Sequence, residues 1–338
     1  MSDIRVGLLA YGAIGHEHNQ AVQATPGLTL TAVCDTNVER IEVAREIAPE
    51  FEAFTDAQEM LDSGLVDLVV VSTPPDSHHD WAMKALDRDL HVVLEKPMAL
   101  TAAECDAALA YAADKGKTLV VYQNRRFDPD FVTMRRLIAE GAIGEVFHYD
   151  SFVGGYSRPC DYWHSDAAVS GGAIFDWGSH YLDQVLNIFT APIAYVSGLN
   201  HKRKWDHVTN ADHAEVSVTF EDGTRATFVH SDLAAARKPK FHVFGTEGAI
   251  VAEWDPAAEP AVADLPARLW LYDNTGARQE VPLDDVPPFT FHGELAAFLA
   301  NGSAMQVSPL QSRNVVAVME AAEASARDLG RPVVPQLN

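Results

Sequence analysis

Gly7-Leu8-Leu9-Ala10-Tyr11-Gly12-Ala13-Ile14-Gly15 joins an apolar run to a helical pattern, and its reading decides the fold. Residues 4–10 before the glycines read as a strand, and residues 14–24 read as a helix. The stretch approximates the G-x-G-x-x-G fingerprint of dinucleotide binding. There the first glycine makes the tight turn, the second lets backbone approach the pyrophosphate, and the third lets helix and strand pack closely. Gly12 and Gly15 fill the second and third places, while Ala10 stands at the first. Alanine keeps such a turn if its φ is negative. The helix start at Ala13 and Ile14 then faces the pyrophosphate.

The next strand, residues 28–34, ends at Asp35, 20 residues after Gly15. An acid at that distance accepts hydrogen bonds from the adenosine ribose. It equally suits the cap of a helix over 38–47. A carboxylate repels a 2′-phosphate, and Thr36 and Asn37 add no positive charge, so NAD is favoured over NADP. Arg40 is the nearest basic residue and points the other way.

Strand and helix go on alternating outward from this turn. Residues 66–72 (VDLVVVS) form a β-branched run of the kind buried on both sheet faces. Residues 81–87 read as a helix, 91–94 as a strand and 119–122 as another. Residues 101–115 read as a helix with Thr101 at its start and Glu104 three residues on. This predicts a doubly wound, parallel α/β sheet. After about residue 123 the pattern changes. Helices are predicted over 131–140 and 173–189, and strands over 146–152, 215–220, 225–230, 240–244, 249–253 and 269–272, with helices closing the chain at 293–301 and 309–329. Consecutive strands without helices between them predict an α+β domain built on a mainly antiparallel sheet. Residues 255–266, rich in Pro, Ala and acids, read as a surface loop. The domains expected are 1–122 and 123–338.

Composition narrows the function. The 338 residues carry a formal net charge of −23, which repels nucleic-acid phosphates and anionic lipid. Hydrophobic residues make up 47%, enough to build a core rather than a disordered chain. Cys34, Cys105 and Cys160 form no CxxC pair and no even set, which fits a reducing compartment. The N-terminal MSDIRVGLLAYGAIG has no basic segment followed by a long apolar one, and no run is long enough to span a bilayer. A cytoplasmic protein is expected, with neither nucleic acid nor membrane as partner.

Five further segments carry chemistry: Ser72-Thr73-Pro74-Pro75 with His78; His91-Val92-Val93-Leu94-Glu95-Lys96-Pro97; Asn124-Arg125-Arg126-Phe127-Asp128; Gly171-Gly172; and Asp176-Trp177-Gly178-Ser179-His180-Tyr181-Leu182-Asp183. In this order, over nearly the whole chain, they resemble the Gfo/Idh/MocA dehydrogenases of sugars, inositols and similar polyols. The Asn-Arg-Arg stretch is most similar to the branch with scyllo-inositol dehydrogenases. The resemblance implies an N-terminal NAD(P)-binding Rossmann domain and a C-terminal domain for substrate binding and oligomerisation, as a homodimer or homotetramer.

Gly12, Asp35, Thr73 and Lys96 each follow a predicted strand end, where open α/β sheets bind ligands. A lysine beside an alcohol hydrogen-bonds the hydroxyl and favours the developing alkoxide. Asp176 and His180, four residues apart, share one face of a helix, and a histidine can take the alcohol proton. The resemblance carries the catalytic set over residue by residue as Lys96, Asp176 and His180; Asp183 reads as structural. It also implies cofactor contacts from Ala10, Gly12, Ala13, Ile14, Gly15, Asp35, Thr36, Thr73, Pro74, His78, Glu95, Lys96, Asn124 and Trp163. Substrate contacts are implied for Lys96, Asn124, Arg125, Tyr156, Arg158, Asp176 and His180. His164 stands where many relatives carry Arg. Of the 14 histidines, neither His16-x-His18 nor His78-His79 has the spacing and partners of a closed zinc site, and no metal is expected. The function these readings favour is NAD(P)-dependent oxidation of a secondary hydroxyl. A non-catalytic dinucleotide sensor and an NAD-using glycosidase are the alternatives on the same fold.

Overall fold

The computed structural model describes residues 3–254 and 266–338. The chain divides into two units. The first is Met1–Gln123 with Pro287–Arg313, and the second is Asn124–Val286 with Asn314–Asn338.

The first unit runs β1 (Ile4–Leu9), α1 (Ala13–Ala24), β2 (Leu28–Cys34), α2 (Val38–Ile47), β3 (Glu52–Phe54), α3 (Ala57–Asp62), β4 (Leu68–Val71), α4 (His78–Leu86), β5 (His91–Leu94), α5 (Ala102–Asp114) and β6 (Leu119–Val121). Its six strands are all parallel, in the order β3-β2-β1-β4-β5-β6. All four residues of β4 are buried, as an all-apolar strand covered on both faces must be. Thr101 and Glu104 close a capping box at the start of α5, each side chain accepting from the other's backbone N–H. Strand order reverses between β1 and β4, which makes the carboxyl ends of these strands the binding crevice of the sheet.

The second unit runs α6 (Pro129–Ala139), β7 (Val146–Gly154), α7 (Ala167–Ser170), α8 (Ala173–Ile188), β8 (Ile193–His201), β9 (His213–Phe220), β10 (Arg225–Ser231), β11 (Phe241–Gly245), β12 (Gly248–Glu253), β13 (Arg268–Asp273) and β14 (Arg278–Val281). Its eight-stranded sheet has the order β14-β13-β12-β11-β7-β10-β9-β8. Only β7 and β10 pair parallel; the other pairings are antiparallel. Along β9 burial alternates with the sequence. Ala214, Val216, Val218 and Phe220 are buried, and His213, Glu215, Ser217 and Thr219 are only partly so. The long helix α8 lies on the buried face, where Tyr181 stacks on Phe228 of β10. Fully buried Lys240 pairs there with Asp130 at 2.7 Å.

Two expectations change. The break falls after Gln123, and the second unit does not run to the end without interruption. Helix α9 (Thr290–Asn301) groups with the first unit, where Phe291 and His292 pack on the Tyr122 ring, and the chain stays with that unit as far as Arg313, which pairs with Asp106 of α5. Long-range burial of this kind leaves no local sign in the sequence. The short β3 and α3, together with β8 and β14, were also not predicted. Each is brief or carries polar residues that hide the period. Helix α10 (Pro309–Arg327) closes the chain. The loop read at 255–266 lies, up to residue 265, outside the described residues. Among those described, no helix is long and apolar enough to cross a membrane.

Candidate functional site

The phosphate turn forms with one departure from expectation. Ala10 has φ +72°, in the left-handed region rather than at the negative φ that alanine prefers. The backbone packs closely here: a Cβ on Gly15 would stand 2.9 Å from the Ala10 carbonyl oxygen, which is why glycine suits position 15. A Cβ on Gly12 would meet nothing within 4 Å. Gly12 is also the N-cap of α1, with no side chain capping the helix and no acid in its first turn. Gly12 thus leaves open space at an uncapped helix start, where unpaired backbone N–H groups can receive an anion.

Asp35 is buried and secures this turn. Its Oδ2 accepts from the Tyr11 N–H at 2.7 Å and its Oδ1 from the Asn37 N–H at 2.8 Å. Arg40 reaches the same carboxylate at 3.5 Å. Asp35 does not cap α2, since Asn37 does so by accepting from Glu39 N–H at 2.9 Å. Thr36 is exposed beside it.

The loops after β4 and β5 are tied together by His78. Its Nδ1 lies 2.7 Å from the Pro97 carbonyl and its Nε2 2.8 Å from that of Thr73, and the ring is fully buried. Burial pulls its pKa below the usual value, against the two carbonyls that favour the charged form. Placed between these two carbonyls, the ring ties the loop that begins at Thr73 to the Pro97 turn, and its single proton can be donated to one of them at a time. Glu95 directs Oε1 at His18 Nε2, 2.9 Å away, and its Oε2 accepts from the Lys96 N–H at 3.2 Å. Gly12, Asp35, Thr73 and Lys96 thus each stand at the carboxyl end of a strand of one sheet.

The second unit builds a separate cluster on α8. Gly172 begins the helix at φ +99°, which a side chain rarely adopts. Asp176 sits in the first turn and buried His180 one turn on, its ring 5.9 Å from that of Trp177. His164 stacks on Trp163 with ring centroids 3.7 Å apart, and its Nδ1 lies 3.8 Å from Asp176 Oδ1. His164 therefore faces the Asp176 carboxylate. Asp183 is structural, as expected: Arg126 grips it with two bonds of 2.6 and 2.7 Å, both side chains being buried.

Asn124 and Arg125 open a short helical turn after β6, where Arg125 lies 3.6 Å from Asp128 and Gln184 donates to its carbonyl. Tyr156 is half exposed beside Lys204, and exposed Arg158 bonds Asp161 and His207. Asp232 is a carboxylate that sequence reasoning passed over. Burial raises its pKa, and the charges of Asp212 and Asp176 add to this against His230. No local motif surrounds it, so only the fold shows that it and Asp176 share one electrostatic environment. His18 and His292 were likewise missed as parts of a site.

Residues 4–123 match the family described as "Oxidoreductase family, NAD-binding Rossmann fold", and residues 131–251 match the "GFO/IDH/MocA C-terminal domain". The chain is 26% identical to scyllo-inositol 2-dehydrogenase (NADP(+)) IolW of Bacillus subtilis, over 96% of this chain and 94% of that protein. It is 31% identical to the uncharacterized oxidoreductase YdgJ of Escherichia coli, over 81% of this chain and 79% of that one. A crystal structure of an NAD-binding protein from Listeria innocua superposes with a TM-score of 0.85 at 27% identity, covering 99% of this chain and 97% of the other.

Proposed function

This chain belongs to the Gfo/Idh/MocA family of NAD-binding oxidoreductases, and on that premise we propose that it oxidises a secondary hydroxyl of an inositol, sugar or related polyol. The observation that carries the reading is the phosphate turn on the Rossmann sheet, with Lys96 at a strand end of that same sheet. Relatives named as inositol dehydrogenases support the substrate class.

The backbone of Ala10, Gly12, Ala13, Ile14 and Gly15 would hold the pyrophosphate, with Asp35 and Thr36 toward the adenosine ribose and Thr73, Pro74, Glu95, Asn124 and Trp163 toward the rest. A bound nicotinamide dinucleotide would supply the hydride acceptor. His180 takes the hydroxyl proton at an imidazole nitrogen. Lys96 and Asp176 hold and polarise that hydroxyl, so that positive charge meets the developing alkoxide. Asn124, Arg125, Tyr156 and Arg158 orient the other hydroxyls. NAD is the preferred cofactor, because the Asp35 carboxylate would repel a 2′-phosphate and Arg40 is already engaged with it.

The test is a panel of inositols and aldoses offered with NAD or NADP and followed by the absorbance of the reduced nicotinamide. Net reduction with NAD, at a higher kcat/KM than with NADP, is expected. Turnover of a glycoside without net absorbance change would instead indicate a glycosidase, and binding without turnover a sensor.

A further inference from the structure

Behind Lys96 lies a row of buried polar side chains, of which only Glu95 has been given a part, toward the cofactor. All of them belong to the first unit. His18 projects from α1 and is fully buried, and His292 from α9 is 2% exposed. His292 Nε2 lies 2.9 Å from His18 Nδ1, and His18 Nε2 lies 2.9 Å from Glu95 Oε1. The other oxygen of Glu95 accepts from the Lys96 N–H at 3.2 Å. Tyr122 packs against both imidazoles, its ring centroid 4.5 Å from His18 and 5.1 Å from His292, and its hydroxyl donates to Glu17 at 2.6 Å. Phe291 and Phe289 flank His292.

The chemistry of the groups fixes the direction of this row. A carboxylate only accepts, so the proton of His18 sits on Nε2. With that one proton on a neutral ring, His18 Nδ1 accepts and the donor is His292 Nε2–H; a proton on each His18 nitrogen would instead leave His292 Nδ1–H buried without a partner among the described residues. The opposite arrangement would set the His18 lone pair against the carboxylate. It would also put the His292 proton on Nδ1, which is buried and has no partner among the described residues. Burial also pushes the His292 pKa well below its usual value, in keeping with a neutral ring.

We propose that His292, His18 and Glu95 form a one-directional hydrogen-bond brace, each donating to the next, that sets the backbone position of Lys96. His18 and His292 are then positioning residues for the dehydrogenation, acting through Glu95. The brace rests on the reading that Lys96 works on the substrate hydroxyl. Its value to the reaction is geometric, because an error of about 1 Å at a catalytic group can cost on the order of 10²-fold in rate. Three elements distant in sequence converge on one residue, so α1, α9 and the turn after β5 share a single constraint.

The first test needs no substrate. Long-range proton–nitrogen NMR of the full-length protein labelled at histidine should show both imidazoles as Nε2–H tautomers. The His18 resonances should shift in His292→Phe. A His18 ring carrying its proton on Nδ1, or on both nitrogens, overturns the brace. The second test reads the Lys96 amide proton. In His18→Leu it should move upfield and lose protection from exchange, while His18→Gln, which keeps a donor toward Glu95, should restore both. A Lys96 amide that is the same in all three proteins overturns the positioning role.

With the best substrate of the panel, His18→Leu should lower kcat by about 10–100-fold. The Kd for NADH, measured by calorimetry, should stay within about threefold, and His18→Gln should recover most of the rate. Equal loss of kcat and NADH affinity, with no recovery in His18→Gln, would make the two histidines merely structural. If no polyol is turned over by the wild type, the dehydrogenase reading fails, and the NMR measurements still decide the brace.

Discussion

Lys96 and His180 divide the proposed work between charge and proton transfer, and each part has its own signature. Lys96→Ala removes a positioned cation, and kcat should fall by on the order of 10²–10⁴. NADH affinity should change much less, because the phosphate turn supplies that binding. Turnover that survives unchanged in stopped-flow assays would take Lys96 out of the mechanism. For His180 the informative quantity is the shape of the pH profile. A base must be neutral to accept a proton, so kcat/KM for alcohol oxidation should fall as pH drops through the His180 pKa. The reverse reaction needs the protonated ring and should fall as pH rises. His180→Asn keeps a hydrogen-bonding group but no proton acceptor, and should slow oxidation while flattening its acid limb. An acid limb left at the wild-type position would assign the base elsewhere, to Lys96 or to His164, which also faces Asp176.

Among the elements, the junction of β1 and α1 carries backbone strain. Ala10 holds φ +72°, in the left-handed region. A non-glycine residue pays on the order of 1–2 kcal/mol for the left-handed region. Ala10→Gly would restore the fingerprint glycine and relieve this strain, with part of the gain lost to the greater freedom of glycine in the unfolded chain. The net expectation is a stabilisation of up to about 1 kcal/mol in urea unfolding, with little change in NADH affinity. A destabilised variant would show that the Ala10 methyl packs usefully despite its backbone. Most elements were legible: β2, α2 and β5 have the expected bounds, and Thr101 caps α5 as read. Those elements bury apolar residues at a regular period or carry a capping signal. Strands β3 and β14 have three or four residues and no period to read.

At the scale of the whole molecule, the second unit's sheet gives reason to expect self-association. Its helix-side face is filled by Val216, Val218 and Phe228. On β8, Tyr195 and Leu199 remain 38% and 39% exposed. An antiparallel sheet with one open face commonly meets water or a partner there, and we expect the partner to be a second copy. Light scattering at micromolar concentration should give two or four times the 36.8 kDa chain mass. A mass near that of one chain would refute the expectation.

The sequence alone determined the strand–helix alternation of the first unit, the glycine placement of the phosphate turn and the capped α5. Each of these rests on neighbours within about 20 residues, where periodicity, glycine placement and helical spacing act directly. Tertiary structure decided what depends on residues distant along the chain. It engaged both nitrogens of His78 in carbonyl contacts, turned Ala10 to positive φ, and returned α9 to the first unit. It brought His292 to His18 across 274 positions of sequence. A buried polar atom must find a partner wherever the fold supplies one, and nothing in the local sequence says where that partner will be.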